Sequence, residues 1–246
     1  DTGDAQYLDR VKYIVSQLAE CQRANGNGYV AAIPNGKEIF GKVARGEIDT
    51  AGFGLNGGWS PWYTIHKELA GLIDADQLCG DAQALDVATN LANWVAATTE
   101  NLSPGQWQKM LVCEYGGMNE ALANLYGLTG NQTYLDLAKK FYDDAVLDPL
   151  ADGRDDLNGK HSNTQIPKII GAARIYELTG EERYAALAKF FWNAVALHRS
   201  FVIGGNGDYE QFFPTNEFAK NLTAQTAETC CTYNMLKLTR HLFEWS

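Results

Sequence analysis

The chain has 246 residues, of which 46% are hydrophobic, and a formal net charge of −10. A sequence of this length and composition can bury a large core without disulfides or metals, and its negative charge argues against a nucleic-acid partner, whose phosphates bind lysine and arginine. No stretch reaches the ~18 to 20 apolar residues that a membrane-spanning helix needs, so we expect no membrane partner either.

A repeat of 50 residues organises the chain from its beginning. Similar segments, Leu-Cys-Gly-Asp, Leu-Thr-Gly-Asn and Leu-Thr-Gly-Glu, place glycine at positions 80, 130 and 180. Apolar residues recur five, eight and eleven positions after each glycine, which is the spacing of one helix face. Gly3 is followed by the same pattern at Leu8, Val11 and Ile14, which predicts four copies of the unit.

Another helix is predicted before each internal glycine, over about 62–78, 118–128 and 165–178, and a last helix over about 227–245. Each glycine then ends one helix in a left-handed cap, after which an antiparallel helix begins. Stacked helix pairs form either an open solenoid or a closed ring. The long connections, rich in Gly, Asn and aromatic residues, favour the ring, an all-α, (α/α)6-barrel-like toroid. No linker divides the sequence, so we expect a single domain over residues 1–246.

Unusual polar residues collect at one position of the repeat. His66, Glu114 and Gln165 lie 14 to 16 residues before a capping glycine, and His161 lies 19 before one. Because the starts of these helices would share one end of the domain, we expect them to line a common opening with the aromatic ring of Trp59. Such an opening suits a neutral polyhydroxylated ligand. A single histidine is more often structural than catalytic, and it is the shared repeat position that favours function here.

A candidate general acid, Glu210, lies between Tyr209 and the pair Phe212 and Phe213. Aromatic surroundings raise the pKa of a carboxyl group and keep it protonated for proton donation. An ordinary exposed loop glutamate is the alternative, and composition alone does not choose between them.

A candidate metal group lies at the start of the last predicted helix, where Glu228 precedes Cys230 by two residues and Cys231 adjoins it. A carboxylate and a thiol at this spacing can share a metal, although a structural zinc site needs four ligands. Buried, unreactive cysteines are the alternative. The five cysteines of the chain are odd in number and widely scattered, so they do not resemble a disulfide framework.

Five blocks of sequence resemble, in this order, glycoside hydrolase family 146 and, more distantly, family 127. They are residues 57–67, 114–120, 161–168, 203–206 and 228–230. The resemblance implies an (α/α)6 catalytic barrel followed by β-sandwich domains, and release of β-L-arabinofuranose from arabinose-containing plant glycans.

The same resemblance implies a Zn2+ ion held by one glutamate and three cysteines, one of which is the nucleophile, and a separate glutamate as acid and base. Carried over by motif, Glu228 and Cys230 would bind zinc and Glu210 would be the acid/base. His66, His161 and Gln165 would line the sugar pocket, which Glu114 and Trp59 would join.

The sequence departs from the family pattern in one respect. The family's other two cysteines form a vicinal pair well downstream, so we expect the nucleophile beyond Ser246, a barrel truncated before closure, and little or no activity of the 246-residue chain alone. Cys231 does not occupy that motif and is not assigned. The alternatives are a metal-free toroidal glycosidase pairing Glu210 with Glu114 or Glu217, and a non-catalytic helical scaffold that binds carbohydrate or protein.

Overall fold

The computed structural model describes residues 3–245, and most of them are helical. The described residues form eleven α-helices and three two-residue strands. In chain order they are α1 Ala5–Asn25, α2 Gly36–Ala44, β1 Thr50–Ala51, β2 Gly54–Leu55, β3 Gly58–Trp59, α3 Pro61–Cys79, α4 Ala82–Thr99, α5 Pro104–Leu111, α6 Met118–Thr129, α7 Gln132–Lys140, α8 Asp144–Ala151, α9 Ser162–Thr179, α10 Glu182–Trp192 and α11 Thr229–Glu244. The predicted all-α class is confirmed.

The predicted helix pairs are present and end where the glycines are. Gly80, Gly130 and Gly180 have φ angles of +66°, +69° and +71°, which is the left-handed conformation of a helix C-cap. Helix α3 packs on α4, and α9 packs on α10, with the capping glycine between the two helices of each pair. The helices predicted over about 62–78, 118–128, 165–178 and 227–245 correspond to α3, α6, α9 and α11, so the repeat unit is confirmed.

The chain divides into two compact units. One comprises the chain up to Tyr115 together with Asn124–Leu137, and the other comprises Gly116–Ala123 together with the chain from Ala138 onward. That all of residues 1–246 form one catalytic domain stays a prediction.

In the first unit, α1, α2 and α3 all contact α4. The centre is a cluster of buried rings, in which Phe40 packs against Trp62 and Trp94 with ring centroids 4.7 and 4.8 Å apart. Strands β1, β2 and β3 form a small antiparallel sheet that leads directly into α3. This sheet fixes the position of Trp59 relative to the start of α3.

The fourth copy of the repeat differs from its prediction. Helix α1 follows Gly3 as expected, but Ile14 is 56% exposed and Leu8 is exposed as well. The buried residues of α1 are Val15, Ala19 and Gln22. The side-chain amide of Gln22 donates to the carbonyl oxygens of Gly28 and Val87, so the helix is held through its C-terminal half.

In the second unit, α9 is the central helix and contacts both α10 and α11. This part of α9 is enclosed on all sides, since every residue from Thr164 to Ala173 is buried. A buried ion pair, with Lys168 Nζ 2.6 Å from Asp143 Oδ2, anchors α9. Within residues 3–245, no helix is both long and apolar enough to cross a bilayer.

Candidate functional site

Glu210 lies at the tip of a tight two-residue turn. Asp208 and Gln211 exchange both backbone hydrogen bonds, with N···O distances of 2.9 and 3.0 Å. Between them, Tyr209 and Glu210 have φ angles of +48° and +65°. Positive φ at both central positions is typical of a type I′ turn, which usually contains glycine or asparagine. Each non-glycine residue here costs about 1–2 kcal/mol, so the neighbouring structure must hold the turn in place.

Ser162, the first residue of α9, holds this turn. Its backbone N–H and its hydroxyl both donate to the carbonyl oxygen of Glu210, at 2.8 and 2.9 Å. Ser162 is fully buried, so these bonds are protected from water. A Cβ atom on Gly207 would lie 2.8 Å from the Ser162 hydroxyl oxygen, so this close approach of the two segments requires glycine.

The carboxyl group of Glu210 faces His161. The Nε2 atom of His161 lies 3.3 Å from Glu210 Oε2, while Nδ1 accepts the backbone N–H of Thr164 at 3.2 Å and so caps α9. Because Nδ1 is occupied as an acceptor, the neutral imidazole carries its proton on Nε2 and donates it to the carboxylate. The helix cap therefore fixes the orientation of the histidine toward Glu210.

Of the two alternatives for Glu210, the structure supports the exposed loop glutamate rather than aromatic enclosure. Phe212 and Phe213 are buried in the core, whereas the side chain of Glu210 is 61% exposed. The turn at Tyr209 and Glu210 presents the carboxyl group to solvent, whereas the chain that follows it enters the core at Phe212 and Phe213. The partner of this carboxyl group is His161 rather than an apolar pocket.

The two residues predicted to bind a metal, Glu228 and Cys230, lie together with Cys231 at the start of α11. Glu228 is the N-cap residue, and its Oε2 atom lies 3.5 Å from Cys230 Sγ. The Sγ atoms of Cys230 and Cys231 are 4.0 Å apart, and the donor atoms of all three residues lie within 4.8 Å of one another. Burial and the charge of Glu228 raise the pKa of the Cys230 thiol. Burial raises the pKa of Cys231 to about 12.

Ser162 joins the two groups. Its hydroxyl oxygen lies 3.5 Å from Cys231 Sγ and also donates to Glu210. One buried side chain thus touches both the turn that carries the candidate acid and the candidate metal group. Sequence reasoning missed Ser162, because a serine at a helix start is commonly only a cap.

Two amide side chains beside this site are buried without being satisfied. Gln165 lies in the first turn of α9, and its Nε2 donates to the carbonyl of His161 at 3.2 Å. Over residues 3–245, Gln165 Oε1 and both amide atoms of Asn206 have no hydrogen-bond partner. Buried amides are normally paired with protein, water or ligand. Asn206 was not predicted as a site residue, although it lies in one of the family-like blocks.

The remaining predicted residues belong to the first unit. His66 is buried in the second turn of α3, edge-on to Tyr63 with centroids 5.6 Å apart. Trp59 is 77% exposed and lies 5.3 Å from the ring of Phe53. Glu114 is half-buried in the segment between α5 and α6. Their grouping with Glu210 stays a prediction.

Glu68, two residues after His66, escaped notice in the sequence. Burial raises the pKa of its carboxyl group from 4.5 to about 7. No local pattern signals this shift, because it arises from the tertiary packing around α3.

Comparison with known proteins identifies one family. The model described as β-L-arabinofuranosidase, GH127 catalytic domain, matches residues 1–246. No curated protein matches the chain.

Three solved structures show the same fold. The GH127 β-arabinofuranosidase BT3674 is 22% identical with a TM-score of 0.57, and the match covers 74% of this chain and 30% of that one. Ara127N-Se, a GH127 β-L-arabinofuranosidase from Geobacillus stearothermophilus T6, is 17% identical with a TM-score of 0.54, covering 85% and 39%. A structure titled glycoside hydrolase is 15% identical with a TM-score of 0.57, covering 85% and 38%. The chain thus spans 30–39% of the length of these structures.

Proposed function

Because this chain belongs to the family of the β-L-arabinofuranosidase GH127 catalytic domain, a family of glycosidases, we propose that the protein that contains it is a retaining β-L-arabinofuranosidase. Its substrate would be an L-arabinofuranosyl-containing oligosaccharide or plant glycan. Closer kinship with family 146 than with family 127 stays a prediction.

The observation that carries the proposal is the connection through Ser162. The exposed carboxyl group of Glu210 is hydrogen-bonded to a histidine, and the backbone carbonyl of the same residue is linked, through one buried hydroxyl, to a group of one carboxylate and two thiols. Glycosidases of the retaining type need a proton donor on one side of the scissile bond and a nucleophilic centre near it. The pairing of these two groups supports such an arrangement.

We assign the acid and base roles to Glu210. Its carboxyl group would donate a proton to the glycosidic oxygen as the bond to the anomeric carbon breaks, and the resulting carboxylate would then accept a proton from the incoming water. His161 Nε2–H, 3.3 Å away, would orient the carboxylate between the two steps. The exposure of Glu210 leaves it accessible to a bound sugar.

Glu228 and Cys230 would hold a zinc ion. Carboxylate oxygen and thiolate sulfur are both zinc ligands, and these two donor atoms are 3.5 Å apart. Zinc, when bound, makes a coordinated thiol a thiolate at neutral pH. Without a cation the Cys230 thiol keeps its proton, because burial and Glu228 raise its pKa. The nucleophile is not assigned to a residue of this chain.

Sugar contacts are proposed for His161, Gln165, His66, Glu114 and Trp59. The buried, unpaired Oε1 of Gln165 supports its role, because a sugar hydroxyl would satisfy that acceptor.

The experiment that tests the acid/base role is E210Q in the protein that contains this chain, assayed on β-L-arabinofuranosides. We expect turnover of a substrate with a poorly acidic leaving group to fall by roughly 10²- to 10⁴-fold, because proton donation is lost. A nitrophenyl glycoside, whose leaving group needs little protonation, should lose less in the bond-breaking step.

The matched control is E217Q, since Glu217 lies in the same segment and pairs only loosely with Lys220 at 3.4 Å. Equal losses of turnover in E210Q and E217Q would favour the alternative mechanism, in which these two carboxylates act as a pair. Undiminished turnover in E210Q would remove the acid/base assignment, and full activity after complete removal of zinc would favour the metal-free mechanism.

A further inference from the structure

We propose that Asp208 is a positioning residue, which ties the turn that carries Glu210 to the chain segment that leads into α11. The inference rests on the proposed acid/base role of Glu210 and adds to it a residue outside the five family-like blocks. Asp208 would not touch the reacting atoms itself, but would act through the position of Glu210.

The segment before α11 lies alongside this turn and runs antiparallel to it. The backbone N–H of Tyr209 donates to the carbonyl oxygen of Gln225, and the N–H of Ala227 donates to that of Gly207, both at 3.2 Å. Ala227 directly precedes Glu228. The turn with the candidate acid is therefore paired with the residues that lead into the candidate metal group.

In this pairing Asp208 lies directly opposite Thr226. The two residues exchange no backbone hydrogen bond with each other, and antiparallel pairs of this kind bring their side chains closest together. The hydroxyl oxygen of Thr226 lies 3.1 Å from Asp208 Oδ1, and the hydroxyl of Thr223 donates to the same oxygen at 2.6 Å. One carboxylate oxygen thus bridges the two segments, and hydrogen bonds to an ionised acceptor are stronger than those between neutral groups.

The same two threonines shape the segment to which they belong. The hydroxyl oxygen of Thr223 accepts the N–H of Gln225 at 3.0 Å. The hydroxyl oxygen of Thr226 accepts the N–H of Thr223 at 2.7 Å and lies 2.7 Å from the carbonyl oxygen of Asn221. Asp208 is therefore bonded to a segment that is held together internally, so it cannot shift one threonine without disturbing the others of these bonds.

A bridge at this place matters because both segments contain strained backbone. Glu210 and Ala227 have φ angles of +65° and +67°, and residues other than glycine keep this conformation only where their surroundings hold it. Ser162 holds the turn from α9, and Asp208 holds it from the segment before α11. Without the carboxylate of Asp208 we expect Glu210 to lose its fixed position, and a displacement of about 1 Å can lower a rate by about 10²-fold.

The test compares D208A and D208N in the protein that contains this chain, through kcat/KM for two β-L-arabinofuranosides. With a poorly acidic leaving group, which depends on proton donation, D208A should lower kcat/KM by about 10- to 100-fold. With a nitrophenyl leaving group the loss should stay below about threefold. D208N keeps an acceptor oxygen for the two hydroxyls, so it should stay within about threefold of the wild type on both substrates.

A second set of variants tests the bridge from its other end and leaves Asp208 unchanged. T223V removes the shorter hydroxyl contact and should show the same selective loss with the poorly acidic leaving group. T223S keeps the hydroxyl and should behave as the wild type does. T215V is the matched control, because Thr215 is an exposed threonine in the loop that follows the turn, and it should change kcat/KM for neither substrate.

Double variants show whether Asp208 acts through Glu210. In E210Q the acid is already lost, so adding D208A should change kcat/KM by less than about twofold. Additive losses would overturn the inference, as would equal losses of D208A on both substrates or a D208N variant as impaired as D208A. Urea unfolding is measured on every variant, and if D208A does not fold, T223V alone and combined with E210Q gives the same test.

The outcomes separate this inference from the proposed function. If E210Q keeps full turnover, the acid/base assignment fails and the role of Asp208 fails with it. If E210Q loses turnover while D208A and T223V match the wild type on both substrates, only the role of Asp208 is wrong.

Discussion

The helix hairpins and the segment that carries the candidate acid both contain residues in the left-handed backbone conformation, but they use different residue types there. In the hairpins, each residue in the left-handed conformation is a glycine, and a Cβ atom added to any of the three would have no neighbour within 4 Å. These residues are Gly80, Gly130 and Gly180. In residues 199–228, which we call the site segment, four residues other than glycine adopt that conformation. They are Tyr209, Glu210, Asn216 and Ala227, with φ from +48° to +67°.

The difference shows where the fold tolerates strain. Glycine adopts positive φ without a steric penalty, whereas other residues adopt it only when their surroundings hold them there. In the site segment the strained residues flank or carry the chemical groups, since Glu210 is the candidate acid and Ala227 directly precedes Glu228. Strain of this kind needs anchors, and the strongest is at the beginning of the segment.

The largest expected effect is loss of that anchor in R199M. Arg199 is buried, forms a bidentate pair with Asp155 at 2.7 and 3.1 Å, and donates to the carbonyl oxygen of Phe213 at 2.6 Å. Removing the guanidinium takes this donor away from its acceptors in the interior. Urea unfolding should therefore show that the free energy of unfolding falls by about 3–5 kcal/mol.

R45M is the control for this prediction. Arg45 also pairs with a carboxylate, Glu47 at 2.8 Å, but both side chains are exposed, so the loss of stability should be far smaller than in R199M. Similar losses in the two variants would mean that the site segment does not depend on a buried anchor.

The hairpins also contain a destabilising feature, which is electrostatic: the buried carboxyl group of Glu68 in α3. Burial raises the pKa of this carboxyl group from 4.5 to about 7. Between these pH values the folded state keeps a proton that the unfolded state has lost, so stability decreases as the pH rises from 4.5 to 7. At about 1.4 kcal/mol per pKa unit, E68Q should be more stable than the wild type by roughly 3–4 kcal/mol at pH 8 and about equal at pH 4.

The control for Glu68 is E38Q in α2, where the carboxyl group is exposed and pairs with Lys42. Its effect should be a few tenths of a kcal/mol. Unfolding curves at pH 4, 6 and 8 for both variants check the prediction. A benefit of E68Q that does not depend on pH would show that ionisation of Glu68 is not its source.

The next effect is at the hairpin cap itself. Gly180 has φ +71° and open space around it, so G180A introduces only the backbone penalty, about 1–2 kcal/mol of destabilisation. G71A is the opposite control. Gly71 is an exposed residue inside α3 with nothing within 4 Å, so alanine should stabilise that helix by about 1 kcal/mol. Thermal unfolding of the two variants should shift in opposite directions.

The same contrast explains what could be predicted from the sequence. The helix pairs and their caps were predictable because helix periodicity and left-handed glycine are local signals. The turn at Tyr209 and Glu210 was not, since neither residue favours positive φ and the bonds that hold it come from Ser162, 48 residues away. The exposed Ile14 shows that local signals also have a limit, because an apolar pattern indicates one face of a helix but not whether other residues cover that face.

The site was predictable only where the family resemblance supplied roles. Glu210, Glu228 and Cys230 come from motifs, and the structure brings their two groups together at Ser162. The contact between Ser162 and Cys231 joins segments far apart in sequence, which spacing alone does not reveal.

The smallest expected effect tests the strain of the turn directly, through Y209N. Asparagine tolerates positive φ better than tyrosine does, so the variant should be more stable by roughly 0.5–1 kcal/mol. Y13N is the matched control, because Tyr13 is as exposed as Tyr209, at 66%, but lies within α1. Asparagine there should give no gain, because the helical backbone already suits tyrosine.

Kinetics of Y209N then decide what the tyrosine is for. If stability rises and the KM for the arabinofuranoside is unchanged, the strain at Tyr209 only positions Glu210. If KM rises as well, the exposed ring contacts the sugar, and the strained turn is kept because it presents both the ring and the carboxyl group. Equal stability of Y209N and the wild type would mean that Ser162 and the paired backbone of Asp208 and Gln211 already offset the strain, and the contrast with the glycine caps would lose its energetic basis.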